Sequence, residues 1–212
     1  MDRQQTTRGA GVTPSQIIFL AGSYLLGSIP TGYWLGKALK GIDVREHGSG
    51  NLGSTNVFRV LGTGPGLCTL IIDILKGLIP VLLAKHLYPN DLLLAALAGV
   101  AAIFGHTMSV FVRFRGGKGM ATSAGVFAAL LPMPSLVSIF VFITVTLTTR
   151  YVSLGSILGA LTLVASSFIF SAPRPLAWTA VGVATIAIWK HRANIDRLLQ
   201  GKENRLEWQK KA

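Results

Sequence analysis

The sequence predicts an all-α, polytopic integral membrane protein with about seven transmembrane helices, an N-terminus outside the cell and a C-terminus in the cytoplasm. Half of the 212 residues are apolar, only 13% are charged, and the mean hydropathy is +0.54. Soluble domains carry about 25% charged residues. The deficit indicates that much of the surface faces lipid, not water.

Apolar segments long enough for a bilayer divide the chain. A helix needs about 20 apolar residues to cross the hydrocarbon core, with roughly 17 to 25 tolerated. Two of the segments are short and meet at the proline-containing turn 131–134, so five spans with a re-entrant pair is the alternative. We prefer seven. The candidate spans are 15–38, 64–85, 91–112, 117–132, 134–149, 152–171 and 174–190.

The distribution of lysine and arginine predicts the orientation of these spans. With the N-terminus outside, fifteen of them fall in inner segments and four in outer ones, namely Arg3, Arg8, Lys85 and Arg174. Lys76 lies inside a span. Cytoplasmic loops carry the excess of basic residues. This asymmetry places the C-terminus in the cytoplasm.

Three regions follow from the span boundaries: an extracytoplasmic segment (1–14), a transmembrane domain (15–190) and a basic tail (191–212). The first apolar run follows two arginines as in a signal peptide, but no small-residue cleavage site ends it, which favours a retained span. The tail is polar and partly amphipathic, and we expect a helix lying at the inner membrane surface.

The formal net charge is +12, which narrows the classes of partner. Such a charge suits nucleic acid, yet the sequence has no soluble basic domain to hold it, so we expect no nucleic-acid partner. Anionic membrane lipids and small phosphorylated substrates fit better. Cys68 is the only cysteine, which excludes an intrachain disulfide.

The first unusual inner segment is the glycine loop, residues 48–56, which follows Arg45. It combines three glycines with serine, threonine and asparagine side chains. Glycines allow a close backbone approach, and several N–H groups ahead of a helix can point at one anion. A flexible polar linker is the plain alternative. The density of hydrogen-bonding groups favours phosphate binding.

The second is the lysine loop, Gly116-Gly117-Lys118-Gly119, which follows Gly105-His106 at the end of a span. It resembles a nucleotide-binding P-loop only in part, because that motif requires Ser or Thr directly after the lysine. We therefore exclude ATP. Lys118 can still bind a phosphate as a point charge. An ordinary positive-inside loop is the alternative, and His106 has either a structural or a functional role.

The third feature is Asp73 and Lys76 inside a predicted span. Charges at membrane depth cost about 2.5–3.5 kcal/mol each on insertion scales, so they face protein or water. Three residues apart, the two lie on one helical face and can neutralise each other. They either brace helices as a pair or line a polar cavity near the inner face.

Further polar groups fall near the inner face: His191, Arg192 and Asn194 at the start of the tail, Ser28 before Pro30, and Ser153. Histidine, arginine and amide together can form another anion clamp. His191 also lies five residues before an aspartate, the spacing of acyltransferases that use acyl-CoA. A second such pair falls on the predicted outer face, and we interpret both pairs as chance matches.

Taken in order, these motifs resemble those of the bacterial acyl-phosphate:glycerol-3-phosphate acyltransferases of the PlsY type. The resemblance runs from about Tyr24 to Glu203. The motifs that carry it are Gly27-Ser28-Ile29-Pro30-Thr31-Gly32, the glycine loop, Asp73 with Lys76-Gly77, Gly105-His106, the lysine loop, Arg150-Tyr151-Val152-Ser153, and His191-Arg192 with Asn194-Ile195 and Arg197-Leu198.

The resemblance implies transfer of an acyl group from acyl phosphate to the 1-position of sn-glycerol 3-phosphate, giving 1-acyl-glycerol 3-phosphate and phosphate. It also implies a multi-pass protein of the bacterial inner membrane with a cytoplasmic active site. Neither a metal nor another cofactor is expected. An enzyme that supplies acyl phosphate is the implied functional partner, and the acyl chain is expected between helices.

The residues are assigned on this basis, and the two substrate sites could be exchanged. His191 or a substrate phosphate oxygen is the expected proton acceptor. The predicted catalytic residues are Lys118, His191, Asn194 and Ser28. The acyl-phosphate site is predicted from Ser49, Gly50, Asn51, Gly53, Ser54, Thr55 and Asn56, and the glycerol 3-phosphate site from Arg45, Ser153, Lys118 and Arg192. A supporting polar cavity is predicted from Asp73, Lys76, His106, Gly116, Gly117 and Gly119.

Two other classes of protein fit parts of the pattern. A transporter of phosphate or an organic phosphate also needs a basic pocket, but such proteins often show internal repeats and polar groups at the midplane. Here we find no repeat, and the polar residues gather near one face. A lipid phosphatase is the second rival. It would release phosphate from acyl phosphate without glycerol 3-phosphate.

Overall fold

The computed structural model describes residues 13–206, which form α-helices joined by short loops, with no β-strand in that range. Parts of the predicted terminal regions, 1–12 and 207–212, lie outside the described residues. The helices are α1 (Pro14–Ser28), α2 (Thr31–Lys40), α3 (Ser54–Leu61), α4 (Thr63–Leu87), α5 (Leu92–Thr107), α6 (Met120–Leu130), α7 (Pro132–Thr149), α8 (Val152–Ile169), α9 (Arg174–Lys190) and α10 (Arg192–Leu199).

Four helical segments of the described chain are long and apolar enough to cross a membrane: Thr63–Leu87, Leu92–Val112, Pro132–Thr149 and Val152–Ile169. They match four of the predicted spans. The fourth predicted span, 117–132, is only the 11-residue α6. The all-α class is therefore confirmed for the described residues, whereas the total of seven spans and the orientation stay predictions.

The prediction of one continuous first span over 15–38 is wrong. Helix α1 ends at Ser28, and α2 begins at Thr31 after the break at Ile29 and Pro30. Proline removes a backbone donor and disfavours helical geometry in the residue before it. The Nζ of the buried Lys76 donates to the carbonyl of Ile29 at 2.8 Å. This hydrogen bond satisfies a backbone acceptor at the break.

The central helices pack closely because glycines let two backbones meet. A Cβ atom on Gly77 of α4 would collide with the Thr122 carbonyl of α6, and one on Gly125 of α6 would collide with the Ile74 carbonyl. Close approach through small residues is typical of helix pairs in lipid. Helix α7 instead lies at the periphery, since only 17% of its apolar stretch is buried within the protein.

A second, smaller core lies beneath the loops. Val44 is fully buried with Leu52 and Val112, and Tyr33 and Val60 pack against them. These residues come from separate loops and short helices. Their packing fixes the glycine loop against the turn that leads to the lysine loop.

Candidate functional site

A polar cavity of about 110 Å³ lies where these loops meet the ends of the helices. Segments far apart in sequence contribute to it, including both the glycine loop and the lysine loop. The polar side chains and glycines in its lining are Ser49, Asn51, Gly53, Ser54, Thr55, Asn56, Arg59, Asp73, His106, Lys118, Gly119, Ser153, Ser156, His191, Asn194, Glu203 and Asn204.

Asn56 organises the glycine loop. Its Nδ2 donates to the carbonyls of Val44 (2.8 Å) and His47 (3.1 Å), and its Oδ1 accepts from the Ser49 N–H at 2.7 Å. The side chain is 1% exposed. These contacts use most of the hydrogen-bonding capacity of the amide, so Asn56 shapes the loop, and its direct contact with phosphate stays a prediction.

The N-terminus of α3 opens into the cavity. Gly53 precedes the helix without a side-chain cap, and Gly53, Ser54 and Thr55 all line the cavity. The first N–H groups of a helix have no partner within it, and the helix dipole adds positive potential there. This end of α3 is built to receive an anion.

Lys118 reaches the cavity from a loop with fixed geometry. The Gly117 N–H donates to the His106 carbonyl at 3.1 Å, and Gly119 has a φ of 83° that favours glycine. The Nζ of Lys118 donates to Oδ1 of Asn194. Burial lowers the pKa of Lys118 to about 8, and the charge of Glu203 opposes that shift only in part.

Glu203 holds Asn194 in the orientation that this contact requires. Its Oε1 accepts from Nδ2 of Asn194 at 2.6 Å and from Oγ of Ser153 at 2.9 Å, while Oε2 accepts from Nε of Arg197 at 2.8 Å. Burial alone would raise the pKa of Glu203, but the three hydrogen bonds outweigh it and hold the pKa below its ordinary value. The amide oxygen of Asn194 is thereby directed at Lys118.

His191 is neutral and has a defined tautomer. Its Nδ1 lies 2.7 Å from the Ala187 carbonyl; since a carbonyl only accepts, Nδ1 carries the proton and Nε2 has a free lone pair. Burial, reinforced by the charge of Lys118, lowers the pKa of His191 to about 4. The ring can accept a hydrogen bond, but it is a weak base.

Asp73 and His106 line the cavity and form a buried polar cluster with Lys76, which lies outside the lining. The predicted pairing is confirmed: Nζ of Lys76 is 2.8 Å from Oδ1 of Asp73, with both side chains almost wholly buried. Nδ1 of His106 is 3.7 Å from the same oxygen. A Cβ atom on Gly117 would collide with the His106 ring, so the cluster also fixes the path of the lysine loop.

Several predicted site residues lie outside the lining of the polar cavity. Arg45 is held by Asp43, with Nη2 to Oδ2 at 2.6 Å, and this ion pair raises the pKa of Arg45. Arg192 stacks on Trp189 at 4.5 Å, on the surface. Gly50 and Gly116 support the loops by their backbone conformation and contacts. Ser28 is buried in a small neighbouring pocket with Lys76 and Gly117.

Four polar lining residues were not assigned to the site from sequence: Arg59, Ser156, Glu203 and Asn204. The Nη2 of Arg59 donates to the Asn204 carbonyl at 3.4 Å, and the Leu206 N–H donates to the Arg150 carbonyl at 2.7 Å. The chain after α10 therefore folds back over the cavity. Glu203 is one of three acidic residues in the basic tail 191–212, so its charge alone did not single it out.

An apolar cleft of about 420 Å³ adjoins the polar cavity. It lies between α4, α6, α7, α8 and α9. Ser54, Thr55, Met120, Val152 and Ser156 line both spaces, so the cavity and the cleft adjoin at these residues. A polar cavity beside an apolar cleft suits a molecule with an anionic head and a hydrocarbon tail.

Known proteins resemble this chain in sequence. The profile of the Glycerol-3-phosphate acyltransferase family matches residues 17–201. A glycerol-3-phosphate acyltransferase of Geobacter metallireducens is 52% identical over 192 residues, covering 91% of this chain and 98% of the relative. One from Halalkalibacterium halodurans is 45% identical over 194 residues, covering 89% and 94%.

Two crystal structures of PlsY, an integral membrane glycerol 3-phosphate acyltransferase, are similar to this fold. The glycerol 3-phosphate form has a TM-score of 0.87 and 40% sequence identity, and it covers 91% of this chain and 96% of that chain. The lysophosphatidic acid form has a TM-score of 0.84, 39% identity and the same coverage, 91% and 96%.

Proposed function

The chain belongs to the glycerol-3-phosphate acyltransferase (PlsY) family of phospholipid synthesis, and we propose that it transfers an acyl group from acyl phosphate to the 1-position of sn-glycerol 3-phosphate. The position of the apolar cleft directly beside the polar cavity, with lining residues in common, carries this proposal. An acyl phosphate has a double-negative head for the first space and a hydrocarbon tail for the second.

The chemistry of the donor explains why the site can be built without a nucleophilic serine or cysteine. Acyl phosphate is a mixed anhydride with a good leaving group, so the 1-hydroxyl of glycerol 3-phosphate attacks the acyl carbon directly. The new ester C–O bond forms, the bond from the acyl carbon to the phosphate oxygen breaks, and phosphate leaves with the hydroxyl proton. The protein has to align the reactants and stabilise the developing oxyanion.

We assign the donor phosphate to the N-terminus of α3. Ser54 and Thr55 line both spaces, so a head group held there leaves its chain at the mouth of the cleft. Glycerol 3-phosphate then lies towards Lys118, Asn194 and Ser153. A lysine between two phosphates reduces the repulsion between them, and this repulsion is the main obstacle to bringing the substrates together.

A phosphate oxygen of the substrate is the proposed proton acceptor. With a pKa of about 4, His191 is a weaker base than a phosphate group, whose second pKa is about 6. The Nε2 of His191 instead accepts a hydrogen bond from the hydroxyl and orients it. Arg45 and Arg192 are proposed to shape the inner surface and do not bind glycerol 3-phosphate.

The proposed site faces the cytoplasm of a bacterial inner membrane. The excess of lysine and arginine in the segments around the cavity supports this orientation. The proposed functional partner is an enzyme that supplies acyl phosphate.

Purified protein in detergent tests the proposal. Given palmitoyl phosphate and glycerol 3-phosphate, it should release lysophosphatidate and phosphate in equal amounts, and palmitoyl-CoA should not replace the donor. Phosphate release without glycerol 3-phosphate would indicate a phosphatase. Acyl transfer from palmitoyl-CoA alone would show the donor assignment to be wrong, and no chemistry with either donor would favour a transporter.

A further inference from the structure

Small side chains leave space in the middle of the apolar cleft, where Ala124, Ala160 and Ala184 line it between α6, α8 and α9. Phe127 and Leu163 are the lining residues of α6 and α8 that lie furthest along their helices from the shared residues Met120 and Val152. Their side chains are 1% and 8% exposed, and both belong to the main apolar core. We call these two residues the cleft floor.

The depth of the cleft follows from helix geometry. Val152 lies at the shared mouth and Leu163 at the floor, which is a rise of about 16 Å along α8 at ~1.5 Å per residue. An extended hydrocarbon advances about 1.3 Å per carbon, since C–C bonds of ~1.5 Å meet at the tetrahedral angle. The straight cleft therefore takes about 12 carbons before the chain reaches the floor.

Longer chains have one way to continue. Ile139 and Ile143 of α7 line the cleft and are also exposed on the outer surface of the protein. On this side a chain that meets the floor can bend outwards into lipid. Carbons beyond the floor then gain no further burial in the protein.

We propose that Phe127 and Leu163 set the acyl-chain preference of the enzyme by ending the buried part of the cleft at this depth. The proposal rests on the proposed function for the reaction, but the floor acts on any ligand with an acyl tail. Each additional buried methylene strengthens binding by about fourfold, and carbons that leave the cleft do not.

Two substitutions move the floor in opposite directions. Phe127→Ala opens space below it and should raise the kcat/KM for 18-carbon acyl phosphate relative to the 12-carbon one by about fifteenfold, the gain from two buried methylenes. Ala160→Phe blocks the cleft at about 12 Å and should lower 16-carbon relative to 8-carbon activity by about sixtyfold, the loss of about three buried methylenes. Ala184→Leu narrows the cleft at the same level from α9. It replaces Ala160→Phe if that variant does not fold.

Matched controls carry the same changes elsewhere. Phe140→Ala alters α7 at a side chain that is 70% exposed, and Ala165→Phe alters an exposed position of α8. Both should keep the wild-type length profile. The profile is measured with acyl phosphates of 8 to 18 carbons, and in parallel by calorimetric binding of lysophosphatidates of the same lengths.

The two readouts separate the two proposals. If the wild type fails to use acyl phosphate but the chain-length profile of lysophosphatidate binding changes with Phe127→Ala and Ala160→Phe, the donor assignment is wrong and the role of the cleft floor is supported. If active variants at both positions keep the wild-type profile in both readouts, the proposed role of the cleft floor is wrong.

Discussion

Two lysines near the same end of the molecule serve opposite purposes. Lys76 is buried in α4 against the carboxylate of Asp73 and donates to the Ile29 carbonyl at the helix break. Lys118 lies in the polar cavity and donates to the amide oxygen of Asn194. One lysine is neutralised by an anion of the protein, whereas the other is held by a neutral group.

This difference separates architecture from binding. A buried charge that already has its counter-ion has little left to offer a substrate, and its loss leaves the partner unpaired. A charge held by an amide keeps its attraction for an incoming phosphate. We therefore expect changes at Lys76 to affect folding first and changes at Lys118 to affect turnover first.

Replacing Lys118 should have the largest effect on activity. Lys118→Ala is expected to lower kcat/KM by about 10²- to 10³-fold, the cost of removing one preorganised group from a transition-state site. Thermal unfolding in detergent should change little. Lys37→Ala, an exposed lysine outside the cavity, is the matched control, and near-normal turnover of Lys118→Ala would contradict the proposed site.

Replacing Lys76 should mainly reduce stability. Lys76→Met leaves Asp73 buried without its partner, and breaking a buried pair costs about 3–5 kcal/mol. The double variant Lys76→Met with Asp73→Leu should recover most of that loss, because neither charge then remains. Unfolding in a denaturant series measures this. A double variant as unstable as the single one would argue against a purely paired role.

The pH dependence of KM should report the charge of Lys118. The pKa of Lys118 is about 8; a lysine is charged below its pKa, so phosphate binding should weaken as pH rises through 8. We expect KM for glycerol 3-phosphate to rise about tenfold per pH unit above that value. Lys118→Arg keeps its charge, and its KM should stay flat over the same range.

Removing Arg192 should have the smallest effect. Its guanidinium is exposed and stacks on Trp189, so Arg192→Ala should change kcat/KM by less than about twofold, as surface substitutions do. A loss comparable to that of Lys118→Ala would mean that Arg192 turns towards the substrates during catalysis. Steady-state kinetics on the two variants side by side makes the comparison.

Local patterns predicted much of this molecule. The long apolar segments predicted the helices α4, α5, α7 and α8, and a spacing of three residues predicted the contact between Asp73 and Lys76. The convergence of Lys118 with the glycine loop followed from placing both on the basic side. In each case the physical signal lies within one segment or in the charge of whole loops.

Contacts between distant segments escaped that reasoning. Glu203 organises Asn194 and Ser153, but nothing near it in sequence indicates which groups it meets. One nearby contact was missed as well: the ion pair of Arg45 with Asp43, two residues earlier, was not weighed when Arg45 was assigned to a substrate. The break before α2 was predictable, since Pro30 interrupts the first apolar run. The length and hydropathy of that run nevertheless favoured a continuous span.

Calorimetric titration of glycerol 3-phosphate at pH 7 tests the central contrast most directly. Lys118→Gln should weaken binding by about 10- to 100-fold, the worth of a hydrogen bond to a charged group. The double variant Lys76→Met with Asp73→Leu should bind within about threefold of the wild type. If Lys118→Gln bound normally while the double variant lost its affinity, the roles given to the two lysines would be reversed and the account would fail.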